Sequence, residues 1–353
     1  MLHAARYARY FADVTLATLA GQARRLEKYG GILREKWRLL YDSNSLPRSQ
    51  ETIRLSATSN LETRRYIYFG LWVLVAMALF AKPFSALIRL SLSNDNTSHI
   101  VLIPFISAWL LYFEHRRIFQ QVSSDSLATA IFLVGGVAVT LWTVLSGGIW
   151  STTNVMSGYM LGLAFIWTAG FALFFGRQAL KNARFPLLFL LLMVPLPDAL
   201  LDKSIYLLQK GSADVAEMIF DLAGVPALRD GFVFHLAHLS IEVAKECSGI
   251  RSSLALLILA LLVGHLFLKT LWKQALFVLV GLVIMVVKNG IRIATLTILA
   301  QYVDRGFLFG RLHHEGGVFF FLVGLLLLVP VFWVLRRTEK PAETAIAAEA
   351  SAD

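Results

Sequence analysis

Apolar stretches long enough to cross a bilayer recur along this chain, separated by short polar turns. They fall at about residues 66–84, 98–113, 127–147, 154–176, 184–199, 250–268, 274–300 and 315–335. A helix needs about 20 residues to span the hydrocarbon core. The pattern therefore predicts an all-α polytopic membrane protein with about eight transmembrane helices. The second and fifth stretches are short, and the fifth carries Pro186, Pro195 and Pro197, so both are expected to tilt, kink or lie inside the bundle. Composition agrees. Hydrophobic residues make up 57% of the 353 residues and charged residues only 16%, against about 25% charged in ordinary soluble domains. A chain of this size could not bury so much apolar surface and still cover itself with polar groups. That excludes a cytosolic globular enzyme, a disordered chain and a disulfide scaffold. No internal repeat is evident, which argues against an inverted-repeat transporter.

Charge orients the spans. The turns after the second, fourth and sixth hold Arg116 and Arg117, then Arg177, Lys181 and Arg184, then Lys269 and Lys273. Those after the first and third hold no Lys or Arg. The positive-inside rule puts the basic set and both termini in the cytoplasm. Net charge is +10, from 33 Lys and Arg against 23 Asp and Glu. In this setting the excess predicts contact with anionic membrane lipid. Nucleic acid is not an expected partner, because no soluble segment shows a basic–aromatic binding pattern.

Three regions follow. Residues 1–62 form a basic head and linker. Arg24, Arg25, Lys28, Arg34 and Arg38 interleave with Leu26, Ile32, Trp37 and Leu40, as in an amphipathic helix lying on a membrane, and residues 42–62 read as a linker. Residues 63–338 form the transmembrane domain, and 339–353 a cytoplasmic tail. Within the transmembrane domain, 200–249 is expected to form a small outer-face subdomain. It opens with an amphipathic stretch that ends at Gly224-Val225-Pro226. The alternation of Ala237, Leu239, Ile241 and Val243 with His238, Ser240 and Glu242 then predicts an extended segment.

The residues that could carry chemistry are few. Cys247, the single cysteine, lies in EVAKECSGIRSS at the outer mouth of the sixth span. A helix start and nearby Lys245 and Arg251 would favour its thiolate, and Glu246 opposes them. By itself, one cysteine in a bundle is more often a core residue. Arg292 lies inside the seventh span, in VVKNGIRIATL. An intramembrane arginine costs about 2.5 kcal/mol or more and is a functional-site candidate by default. Asn289, three residues earlier, shares its helix face. His313 and His314 stand at the outer mouth of the eighth span, in RLHHEGGVFFF, without the spacing of a zinc protease. His235 and His238 would face opposite sides of an extended segment, and no metal or other cofactor is expected. Spans placed by hydropathy and oriented by charge thus bring Cys247, Arg292 and His313/His314 to the outer leaflet. Thiol, imidazole and guanidinium are the parts of an acyl-transfer site.

These segments resemble the exosortase/archaeosortase family of PEP-CTERM-type protein-sorting transpeptidases. The matching pieces are SHIVLIPFISAWL (98–110), FPLLFLLLMVPLP (185–197), GVPALRDG (224–231), EVAKECSGIRS (242–252), KNGIRIATL (288–296) and LHHEGGVFFF (312–321). The resemblance implies a cysteine protease or transpeptidase of the bacterial inner membrane. Its implied substrates are secreted proteins with a tripartite C-terminal sorting signal: a short motif, a transmembrane helix and a basic cluster. Sorting of this kind accompanies exopolysaccharide production. The resemblance assigns Cys247 as nucleophile, Arg292 as the arginine and His313 as the histidine. His313–Gly317–Phe321 has the family's spacing, and His314 is the alternate. Two other classes compete, a transporter or flippase for an envelope polymer and a scaffold for polysaccharide assembly.

Overall fold

The computed structural model describes residues 48–93, 99–243, 250–308 and 317–339. Two compact units are distinguished, residues 1–67 and 68–353, and the described part of the first is helical from Arg48. Helix α1 (Arg48–Leu79) takes in most of the segment expected as a linker. Its sequence accounts for this: Pro47 precedes it, and neither proline nor glycine occurs from Arg48 to Phe69. The amphipathic helices expected in the head fall within 1–47, outside the described residues.

The second unit holds the apolar helices. Helix α2 (Ala81–Ser93) turns by 78° from the Thr63–Leu79 part of α1, with Pro83 in its first turn, where a missing N–H costs least. Then come α3 (Leu102–Phe113), the short α4 (His115–Ile118), α5 (Ser126–Ser146) and α6 (Thr152–Asn182). Asp125 caps α5 by accepting the Ala128 N–H at 2.9 Å, and Ser151 caps α6 by accepting the Asn154 N–H at 3.1 Å. Helix α7 (Arg184–Phe189) runs on as a 3-10 turn to Met193, and α8 (Asp198–Leu222) leaves at 92° after Pro195 and Pro197. Strands β1 (Leu228–Asp230), β2 (Val233–His235) and β3 (Ser240–Glu242) form an antiparallel meander. Helices α9 (Ile250–Phe267), α10 (Leu271–Tyr302) and α11 (Gly317–Arg337) complete the described chain.

This is an all-α membrane protein with one small sheet. Among the described residues, four helices (α5, α6, α10 and α11) are long and apolar enough to span a bilayer, or up to six if each bent pair counts as one span. The count of about eight is not reached, because α3 and the Ser252–Phe267 part of α9 are short and two further stretches are bent pairs. Nor does 200–249 stand apart as a subdomain. Helix α8 packs lengthwise on α10, and one core holds Ala213, Ala216 and Phe220 of α8, Phe234 of β2, Val243, and Ile293 and Ala294 of α10. The expected extended segment does contain β3.

The basic turns gather at one end of the bundle. Arg117 donates to the Asn182 carbonyl at 3.2 Å, and the Asn182 amide donates to the Arg117 carbonyl at 3.0 Å. Glu114, beside Arg117, pairs with His265 near the end of α9 at 2.5 Å, and Phe185 stacks on that imidazole at 3.6 Å. The Lys269 N–H donates to Glu339 at 2.7 Å, beyond the end of α11.

Candidate active site

The site is built on the outgoing half of α10. Lys273 near its start reaches the Leu335 carbonyl of α11 at 3.4 Å, and Phe267 of α9 meets Phe332 of α11 edge to face at 6.0 Å. Both α9 and α11 therefore run antiparallel to α10, and their starts lie toward the end that α10 approaches. At that level Lys288 donates from Nζ to the Ser252 hydroxyl of α9. Its stem packs beside Gly324 of α11, where a β-carbon would stand 3.4 Å from the lysine Cδ. Lys288 is 1% exposed.

Arg292 is half-buried one turn farther along the same face, four residues from Lys288. It lies ten residues before the end of α10, or ~15 Å at 1.5 Å per residue. Asn289, 1% exposed, donates from its amide to the Ser212 hydroxyl of α8 at 3.0 Å. Gly290 permits that approach. A β-carbon there would lie 2.5 Å from Val215 Cβ and 3.0 Å from the Ser212 carbonyl. The KNGIR segment thus fixes Lys288 between α9 and α11 and Asn289 against α8, with Arg292 one turn beyond Lys288.

Cys247, His313 and His314 lie outside the described residues, and so does their distance from Arg292. In the sequence Cys247 precedes the start of α9 by three residues, and His313 precedes the start of α11 by four. Of the other histidines considered, His235 bonds through Nδ1 to the Ser240 hydroxyl at 2.9 Å. The His238 carbonyl accepts from Arg305 at 2.6 Å. Among the described residues no group of three or more His, Cys, Asp or Glu is arranged to hold a metal. The sheet is tied to α8 by Arg229, which donates to Asp214 at 2.8 Å and Glu217 at 2.6 Å. Burial works against the Arg229 charge, but the two carboxylates outweigh it and hold the guanidinium pKa above its ordinary value.

A family model described as transmembrane exosortase matches residues 88–330, more than half of the chain. The chain belongs to the transmembrane exosortase family. The match takes in this exosortase from within α2 to Pro330 in α11, and with it the segments holding Cys247, Arg292 and His313. Residues 1–62 lie outside it. Neither a curated protein nor a solved structure matches the chain.

Sequence reasoning singled out Arg292 and passed over Lys288 in the same motif. The signal was available, since Lys288 follows the unbroken apolar or small run 275–287, and a lysine inside a span carries the same desolvation cost as an arginine, on the order of 2.5 kcal/mol or more. Ser252 gave no such signal, because a serine near a helix start is common.

Proposed function

We propose that this exosortase is a multi-pass protein of the bacterial inner membrane that cleaves the C-terminal sorting tail of secreted proteins through an acyl-enzyme at Cys247. Family membership carries the sorting role. Buried Lys288 and half-buried Arg292, one turn apart on α10, support the chemistry, because Lys288 bonds to α9, the helix that follows Cys247 in the chain. The Cys247 thiolate attacks the scissile carbonyl. The S–C bond forms, and the negative charge gathering on the carbonyl oxygen is met by the Arg292 guanidinium. Collapse breaks the C–N bond, and His313, with His314 as alternate, protonates the departing amine. An acceptor amine or water then attacks the thioester and gives its proton to the same histidine, and the S–C bond breaks to release the Cys247 thiolate. Asn289, held by Ser212, fixes the rotation of α10 that presents Arg292. No cofactor enters the scheme. The site faces the outer side, with residues 1–62 and 339–353 in the cytoplasm as flanking regions.

The test is trapping. In Cys247→Ala and Cys247→Ser cells, a secreted protein bearing the tripartite tail should accumulate uncleaved. Mass spectrometry of the wild-type protein should find a thioester adduct on the Cys247 peptide. Processing at the wild-type rate in either variant makes the cysteine structural and removes the mechanism.

A further inference from the structure

A cavity of about 580 Å³ opens among α2, the segment just before α3, α6, the α7–α8 elbow, α8, α9 and α10. Its walls are chiefly leucine, and no Lys, Arg, Asp or Glu lines it. Four hydrogen-bonding side chains reach it from four separate parts of the chain: His99 before α3, Thr153 of α6, Ser204 of α8 and Ser253 of α9. Ser253 is the informative one. It is 2% exposed, and its hydroxyl finds no hydrogen-bond partner. A buried unsatisfied hydroxyl is disfavoured unless something else meets it. An apolar cavity of this size with a few convergent polar groups has the make-up of a ligand site.

We propose that this cavity is the subsite that receives a short uncharged segment of the substrate's tail, with Ser253 bonding its backbone. The proposal rests on the tail-cleaving function above and adds where the tail is read. Size limits the occupant. A whole spanning helix, about 30 Å long and 10–12 Å across, occupies on the order of 2,800 Å³, so the cavity takes only a short part of one. Chemistry chooses between the two apolar chains a membrane offers. A lipid acyl chain has polar atoms at one end only. A peptide carries an N–H and a carbonyl at every residue, and polar groups spread over four elements match that repeat. The uncharged walls reject a segment bearing Asp, Glu, Lys or Arg, because an unpaired charge there would stay desolvated. Ser253 also stands six residues after Cys247 in the chain.

The test uses full-length protein in cells, with an epitope-tagged secreted protein carrying the tripartite tail as probe. Ser253→Ala should leave the unfolding temperature in detergent unchanged or raised, because it removes an unsatisfied hydroxyl, yet slow processing about three- to tenfold, the effect of one lost hydrogen bond. A photoreactive benzoylphenylalanine in place of Leu254 should cross-link to the uncharged segment of the tail, as mapped by mass spectrometry. Wild-type processing by Ser253→Ala, or cross-links to lipid alone, overturns the subsite. Cys247→Ala run in parallel separates the two ideas. If that variant processes the tail normally, the thiol mechanism falls, while the cross-link still decides what fills the cavity.

Discussion

Replacing Gly211 with alanine should destabilise the wild-type protein and stabilise a Val286→Ala protein. The reversal follows from the seam between α8 and α10. A β-carbon on Gly211 would stand 2.7 Å from Val286 Cγ1, inside van der Waals contact, but 3.8 Å from Val286 Cβ, at ordinary contact. Valine in a helix has essentially one comfortable χ1 rotamer, so it cannot swing the methyl aside without cost. Overpacking of this kind costs about 1–3 kcal/mol. Against it, glycine to alanine within a helix gains about 1 kcal/mol. The net effect in the wild type is a loss of about 0–2 kcal/mol. With Val286 truncated the methyl is gone, and the helix gain of about 1 kcal/mol stands alone. The four proteins of the cycle would be unfolded thermally in detergent, followed by tryptophan fluorescence. The expected coupling between the two sites is about 1–3 kcal/mol, worth a few degrees in Tm. A Gly211→Ala protein that melts above wild type, or an equal shift in both backgrounds, would show that α8 and α10 do not approach this closely.

Arg292→Lys should not restore processing. It keeps the charge but loses the planar fork, and a fall of about 10- to 100-fold in tail cleavage is expected; near-normal cleavage would mean that charge alone suffices. Phe234→Ala should cost about 3–5 kcal/mol, because that ring is fully buried and packs edge to face on Phe220 at 5.3 Å; a loss below 1 kcal/mol in detergent unfolding would show that the sheet does not share the α8–α10 core. In a Cys247→Ala background, single cysteines replacing the exposed Ser151 or Asp304 should react with a membrane-impermeant maleimide on intact cells, and one replacing the exposed Gln178 should not. The opposite pattern inverts the topology and removes access of a secreted substrate to the site.

Much of the helical layout was legible because apolar run length is a direct physical requirement of the bilayer. The runs around 127–147, 154–176, 274–300 and 315–335 became α5, α6, α10 and α11 with ends moved by a few residues. The errors lie where one local pattern admits two tertiary settings. Residues 198–222 carry Lys210, Asp214, Glu217 and Asp221 on one face, which reads equally well as an outer amphipathic helix or as a helix with its other face laid on α10. Long-range contacts such as the pairing of Ser212 with Asn289, 77 residues apart, decide between them. At the site, Arg292 was conspicuous as a charge in an apolar run. The partnership of Lys288 with Ser252 was not, because it depends on the register of α9 against α10. The cavity at Ser253 is likewise a product of several elements meeting, and no single stretch of sequence announces it.

The gathering of basic turns at one end bears on how the molecule enters the membrane. Arg116, Arg117, Arg177, Arg184, Lys181, Lys269, Lys273, Arg336 and Arg337 belong to turns or helix ends that share that end. Carrying one positive charge against a membrane potential costs about 2.3 kcal/mol per 100 mV, so each of these residues opposes an upside-down copy, and Glu114 and Glu339 at the same end each offset one of them. The asymmetry of charge favours a single orientation of the fold. Each helical hairpin emerging from the ribosome carries the same sign of bias, so an early hairpin inserted backwards would be opposed by every later one.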